Sequence, residues 1–373
     1  MICIDPTSAK RLLAGLPLPL VARTEAGFSL VEIMVGMVIG MFGLLIMMQV
    51  FSLAEEQKRT TTSGGDAQST GAIALFGLQR DIRQAGYAIS DPKMIGCNVT
   101  LRSGVTLNSM APMTINHASI PAGDTNTDTL LVAYGNTNGT PQGDGIVSQA
   151  SQPAYTVQTS SSFVANDRVV ATPSTRASPC ALTLDTVASV SGQVVTVSTG
   201  ITGMANGTLF NLGQAPKIYA YAIRNGNLTQ CDYMVNNCSV AANVTSTTIW
   251  VQIGGNIVSM RAQYGRDTAS GTMDGFVDVF DQATPTTACT FARVSAARLA
   301  LVVRSAQLEK TTVTTVAPTW EGTSVQTTNS PTNPNATPIV LTGNASWQSF
   351  RYRVFQTVVP LRNIAWAGAQ TGC

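Results

Sequence analysis

The chain has 373 residues, of which 11% are charged, and a net charge of +2. Soluble domains carry about 25% charged residues, so this mixture, plentiful in Thr, Ser, Asn and Gly, reads as β-rich and extracytoplasmic. No basic cluster interleaved with aromatics is present, which sets nucleic acid aside as a partner.

Lys10, Arg11 and Arg23 come first, then Glu25-Ala26-Gly27, and an apolar run extends from Phe28 to Leu53 with Glu32 as its single charge. As a helix rising about 1.5 Å per residue, this run covers about 39 Å, enough for a hydrocarbon layer of about 30 Å. A secretory signal is cut after its apolar stretch; here the basic and small residues precede it. A carboxylate in hydrocarbon costs at least about 2.5 kcal/mol and calls for a positive partner. Gly36 and Gly40 form a G-x-x-x-G, with Gly43 further along, a spacing that lets helices approach closely.

Gly27, Phe28 and Glu32 match the three diagnostic places of the type IV prepilin signal: a Gly, then Phe or Met, then an apolar run with Glu at its fifth position. The segment resembles that signal. The resemblance implies a leader of residues 1–27, a cut between Gly27 and Phe28 by a prepilin peptidase, and methylation of the new amine on Phe28. The helix over 28–53 would then stay as a single-pass anchor in a bacterial inner membrane. In a filament, Glu32 would face the N-terminal amine of a neighbouring subunit.

There are seven cysteines, and such a cut removes Cys3 with the leader. The even remainder in an exported chain points to disulfides, and Cys231 with Cys238 is the pair local enough to assign. The others stay open. A single histidine, His117, and the lack of Cys-x-x-Cys argue against a metal site, and no cofactor is expected.

No proline lies between Phe28 and Asp91, so the helix is expected to continue over 54–92, with a soft spot at Thr60–Gly65. Leu75, Leu78, Ile82, Ala85 and Ile89 form an amphipathic stripe suited to holding a sheet, and Pro92 stops it. The run Gln79 to Tyr87, ending in Ala-Gly-Tyr, is similar to the Arg-rich helix end of PilW-type minor pilins. Without that resemblance its charges read as a solvated face.

From Lys93 the pattern changes to short β-type runs. Thr129–Tyr134, Gln193–Ser198, Lys217–Ile223, Thr248–Ile253 and Ile257–Tyr264 are the clearest, with Ser191-Gly192, Asn225-Gly226 and Gly254-Gly255 expected as tight turns. Arg293–Arg304 and Ser349–Val359 are long enough for central strands. The Thr-, Asn- and Pro-rich stretch 311–346 between them reads as a long exposed loop. The ending Phe350 to Asn363, closing in Pro-Leu-Arg-Asn, and the preceding Arg298–Ser305 are very like the last strands of PilW-type minor pilins.

No catalytic constellation emerges: there is no Gly-x-Ser-x-Gly, phosphate loop or H-E-x-x-H, and His117 reads as a surface loop residue. The acidic stretch Asp267, Asp274, Asp278 and Asp281 does not keep EF-hand spacing and is explained by Asx turns. The expectation is an α+β, pilin-like protein: a long N-terminal helix packed on a β-rich periplasmic domain over 93–373. The resemblance implies a minor pilin that primes and assembles type IV pili near the tip. Its partners would be the prepilin peptidase, other minor pilins and the major pilin, the inner-membrane assembly platform and a tip adhesin. Two alternatives remain: a J-type pseudopilin of type II secretion, and an adhesin acting through the 311–346 loop.

Overall fold

The computed structural model describes residues 27–269, 273–328, 330–344 and 346–365. The leader up to Ala26, with Cys3, and likewise Cys373 lie outside the described residues. One helix, α1 (Leu30–Gln84), runs without interruption through Thr60–Gly65. The chain divides into two units, one ending at Lys58 and one beginning at Arg59. In the first, every residue from Gly27 to Lys58 is exposed.

In the second unit the strands are, in chain order, β1 (Cys97–Arg102), β2 (Val105–Met110), β3 (Met113–Ile115), β4 (Leu130–Tyr134), β5 (Asp144–Ser151), β6 (Ala154–Val157), β7 (Arg168–Thr172), β8 (Ala181–Ser191), β9 (Val194–Val197), β10 (Thr208–Gly213), β11 (Lys217–Arg224), β12 (Asn227–Asp232), β13 (Val251–Gly254), β14 (Ile257–Arg266), β15 (Val279–Asp281), β16 (Val294–Arg304) and β17 (Tyr352–Pro360). Two short helices flank β16 and β17: α2 (Ala288–Ala292) and α3 (Arg362–Ala365). An eight-stranded sheet has the order β2-β1-β8-β7-β10-β5-β6-β9, a five-stranded sheet β13-β12-β11-β4-β3, and a four-stranded sheet β15-β14-β16-β17.

The layering follows from which strands are apolar on both faces. β4 is buried at all five positions: Leu130, Val132 and Tyr134 join the core under α1, while Leu131 and Ala133 join the core shared with Val99, Val170 and Phe210 of the eight-stranded sheet. β16 behaves likewise, with Leu299, Leu301 and Val303 under α1 and Ala300 and Val302 on the opposite face. A continuous apolar run marks a strand covered on both sides.

The covering of β16's second face refines the reading of residues 311–346 as a long exposed loop: most of its described residues are exposed and none forms a named strand, but a few are buried anchors. Trp320, Ile339 and Leu341 are buried against Ala300 and Val302. Gln263 on β14 donates to Asn333 Oδ1 (2.8 Å) and Thr337 Oγ1 (3.0 Å), and Trp320 Nε1 donates to the Thr337 carbonyl (2.6 Å). Proline and threonine removed regular strands without removing the buried apolar anchors, so the segment is a packed cover. β17, expected as central, is the edge of its sheet, and most of its residues are partly or fully exposed.

Two of the three expected turns stand as read. Gly192 (φ +57°) joins β8 to β9, and Asn225 and Gly226 (φ +52° and +69°) join β11 to β12. At the third, Gly254 is the last residue of β13 and the left-handed conformation falls on Asn256 (φ +55°), in a corner between two different sheets. The expected Thr248–Ile253 strand starts only at Val251. Gly254 is small for another reason: a Cβ there would lie 2.5 Å from Ile257 Cδ1 and 3.5 Å from the Ala74 Cβ of α1.

Cys231 and Cys238 are bridged as expected. A second disulfide joins Cys97 to Cys180, 83 residues apart, and Cys289 is also disulfide-bonded. By loop-closure entropy the long-range bridge contributes about 4.5 kcal/mol against about 2.5 for the local one.

Candidate functional site

The N-terminal candidates are built by local chain geometry. The Ser29 carbonyl accepts the Ile33 N–H (3.1 Å), making Ser29 the residue from which α1 grows. Its own N–H donates to Glu32 Oε2 (3.2 Å), so Ser29-Leu30-Val31-Glu32 uses the return arm of a capping box. Sequence reading assigned Glu32 a partner in another subunit and passed over this local one, which the Ser-x-x-Glu spacing could have signalled. Gly27 and Phe28 precede the helix in non-helical chain, and Phe28 is 84% exposed. Along the helix Gly36, Gly40 and Gly43 have nothing within 4 Å of where a Cβ would stand. An 18-residue window of α1 reaches a mean hydropathy of 2.4, long and apolar enough to cross a membrane. So much exposed apolar surface on one helix requires lipid or other helices around it.

Within the second unit, α1 is held by a stripe of small and apolar residues. Ala67, Gly71, Ala74, Leu78, Ile82 and Ala85 are buried at spacings of three and four, Leu75 is only half-buried, and Ile89 lies past the helix end in a different core. The expected stripe was therefore right in phase from Leu78 to Ala85, but it missed the small residues that let the helix approach the sheet. Gly71 is the limit of that approach: a Cβ would stand 2.3 and 2.5 Å from Phe355 ring carbons and 2.8 Å from Val303 Cγ2. Gly71→Val should lower the unfolding free energy by about 2–3 kcal/mol, overpacking outweighing the gain in helix propensity. Denaturant unfolding of the purified protein in micelles measures it, and an unchanged midpoint would contradict this packing.

Asp81 is the polar centre of the same contact. It is 3% exposed and accepts hydrogen bonds from Tyr134 Oη (3.1 Å) and Tyr221 Oη (2.5 Å). Tyr221 Oη in turn accepts from Gln230 Nε2 (2.8 Å). Burial first, and the Asp81 carboxylate second, push both phenols up from their ordinary value, so they remain protonated donors. Sequence reading took the charges of this run as a solvated face or as a resemblance. Nothing in a single Asp between two arginines announces that it points inward.

The end of α1 explains both sequence signatures that suggested a family. Gly86 takes φ +84° and its N–H donates to the Ala133 carbonyl (2.9 Å), turning the chain out of the helix five residues before Asp91. A Cβ on Gly86 would meet Pro112 at 3.2 Å. Tyr87 Oη donates to the Thr137 carbonyl (3.0 Å). From the other end of the chain, Leu361 is fully buried and its N–H donates to Ser295 O (2.8 Å). This seats Asn363, whose Nδ2 donates to the carbonyls of Gln84 (3.0 Å) and Ala85 (3.1 Å). Pro-Leu-Arg-Asn thus ends β17 and caps the helix, satisfying carbonyls that have no partner within it.

The remaining candidates are structural. Asp267 accepts the N–H groups of Ala269 (3.0 Å) and Gly275 (2.8 Å), Asp278 that of Thr268 (2.7 Å), and Asp281 pairs with Arg266 (2.9 Å). Among the described residues no group of three or more His, Cys, Asp or Glu could hold a metal ion. His117, read as a surface residue, is 5% exposed: the Ser119 N–H donates to Nδ1 (3.1 Å), which leaves Nε2 to donate to the Asn108 carbonyl (2.6 Å). Burial holds its pKa below the ordinary value. Protonation therefore favours the unfolded chain: the site's stability is complete above about pH 6.5 and is lost as the pH falls below it. His117→Gln should reduce the drop in melting temperature between pH 7 and pH 5, and an equal drop in both proteins would contradict the assignment.

Two family models match. One, described as Type IV Pilus-assembly protein W, covers residues 221–363, and the other, the prokaryotic N-terminal methylation motif, covers residues 22–48. The first runs from Tyr221, the partner of Asp81, to Asn363, the helix cap. The second contains Gly27, Phe28 and Glu32. No curated protein and no solved structure matches.

Proposed function

We propose that this chain, matched by the pilus-assembly model over residues 221–363 and by the methylation motif over residues 22–48, is a PilW-type minor pilin of type IV pili that helps to prime pilus assembly close to the fibre tip, by packing and without catalysis. Prepilin peptidase cuts between Gly27 and Phe28 and methylates Phe28. The protein waits in the inner membrane on the first part of α1, with the β-rich unit in the periplasm, and passes into the fibre through contacts with other minor pilins, the major pilin and the assembly platform. Glu32 neutralises the amine of a neighbour in the packed fibre.

One observation carries this reading: α1 is wholly exposed up to Lys58 and carries a single charge, Glu32, up to Leu53, yet is anchored by Asp81 and Asn363 further on. The unit from Arg59 onward thus continues a helix whose preceding residues, up to Lys58, bury no side chain. A J-type pseudopilin would share the signal, but the pilus-assembly match over residues 221–363 favours the pilus. Deleting the gene should leave the major pilin in the membrane and strip the cells of surface pili, with complementation restoring them. Normal piliation in the deletion strain would overturn the priming role.

A further inference from the structure

A cavity of about 670 Å³ opens between the β11–β12 turn, the end of β16 and the cover segment. Its size falls within the range of small-molecule sites. Arg304, the last residue of β16, lines it. The guanidinium carbon stands 4.6 Å from the Phe350 ring centroid, and Nε is buried with no hydrogen-bond acceptor. Among the described residues no carboxylate lies within ion-pair distance of it. Arg102, Arg168, Arg176 and Arg224 also lack an ion pair, but each donates to an oxygen. An arginine that lines a polar cavity with no ion pair among the described residues is suited to an anionic acceptor from outside the chain.

The rest of the lining narrows the acceptor. Asp124 lies in the same wall, its two oxygens taking the N–H groups of Asn225 (3.0 Å) and Gly226 (2.7 Å). That carboxylate repels a doubly charged phosphate or sulfate, while its remaining lone pairs suit hydroxyl donors. Thr125, Asn344 and Tyr352 add further polar groups. We infer that this cavity binds an acidic sugar unit, its single carboxylate on Arg304 and its hydroxyls towards Asp124, Thr125 and Asn344. The inference stands apart from the priming role, since it uses only residues of the unit beginning at Arg59.

Calorimetric titration of the full mature protein in detergent micelles tests it, with sodium D-glucuronate and D-galacturonate as probes and D-glucose and acetate as controls. A hexuronate should bind at one site, glucose should not, and acetate should bind more weakly. Arg304→Gln should weaken the hexuronate by about tenfold or more, the loss of one charge-assisted contact. Gly343→Phe provides a second variant: a Cβ at Gly343 meets only Thr125, at 3.9 Å, so the ring can enter the cavity without backbone strain and should abolish binding. A hexuronate that gives no heat, or that binds equally to the wild type and to a folded variant of either kind, overturns the inference. Acetate or N-acetylglutamate amide binding as tightly as the hexuronate also overturns it, assigning the cavity to any carboxylate or to an acidic side chain.

Discussion

Glu32→Ala should be cut and methylated normally and yet be absent from sheared pili. The variant loses its bond to the Ser29 N–H, but that bond is exposed and closes only one turn, at a cost of about 1 kcal/mol, so the peptidase meets a nearly unchanged Gly27–Phe28 segment. On the proposed pairing the consequence in the fibre is larger: the amine of Phe28 would be desolvated there, and removing its carboxylate would leave a buried charge unpaired at a cost of about 3–5 kcal/mol. That is a hundredfold or more in the equilibrium for joining the fibre. Immunoblots of membrane and pilus fractions read both steps. Normal incorporation would remove the charge-pairing role, and failure to be cut would place Glu32 in peptidase recognition instead.

Asp81→Ala should lower the unfolding free energy by about 3–5 kcal/mol. The substitution leaves the hydroxyls of Tyr134 and Tyr221 without the acceptor they share, and each buried unsatisfied donor costs about 1–3 kcal/mol. Asp81→Asn keeps an acceptor oxygen for one phenol and should lose roughly half as much. The second part of α1 should also detach from the sheet before the rest unfolds, because the same side chain joins the helix to both β4 and β11. Hydrogen exchange over residues 74–85 would show this as protection lost ahead of β16. Equal protection in wild type and variant would mean that the stripe from Ala67 to Ala85 holds the helix unaided.

The elements legible from sequence were those whose signal is local. The apolar run from Phe28, the Asn225-Gly226 hairpin, the doubly buried runs of β4 and β16, and the Cys231–Cys238 bridge each lie within a few residues of the feature that announces them. What escaped depended on distant partners. Asp81 looks like a surface charge until Tyr134 and Tyr221 are placed around it. Gly71 and Ala74 carry little hydrophobic signal, yet they set how near the helix comes to Phe355 and Gly254. The 311–346 segment has the composition of a loop, and its few large residues, Trp320, Ile339 and Leu341, are what tie it down. His117 follows β3 and is buried with its ring tied to Asn108 and Ser119, contacts that no periodicity marks.

The family resemblance was legible for a different reason: its motifs are the places where helix and sheet are fastened. Ala85-Gly86-Tyr87 turns the chain out of α1, and Pro-Leu-Arg-Asn brings back the side chain that caps it. The eight-stranded sheet between them lies outside both matched stretches.

The most direct test of the account is the intact mass and N-terminal sequence of the protein recovered from sheared pili. A chain beginning at N-methylated Phe28 in the pilus fraction is the predicted result. A chain that begins elsewhere, or that remains in the membrane fraction of normally piliated cells, would contradict it.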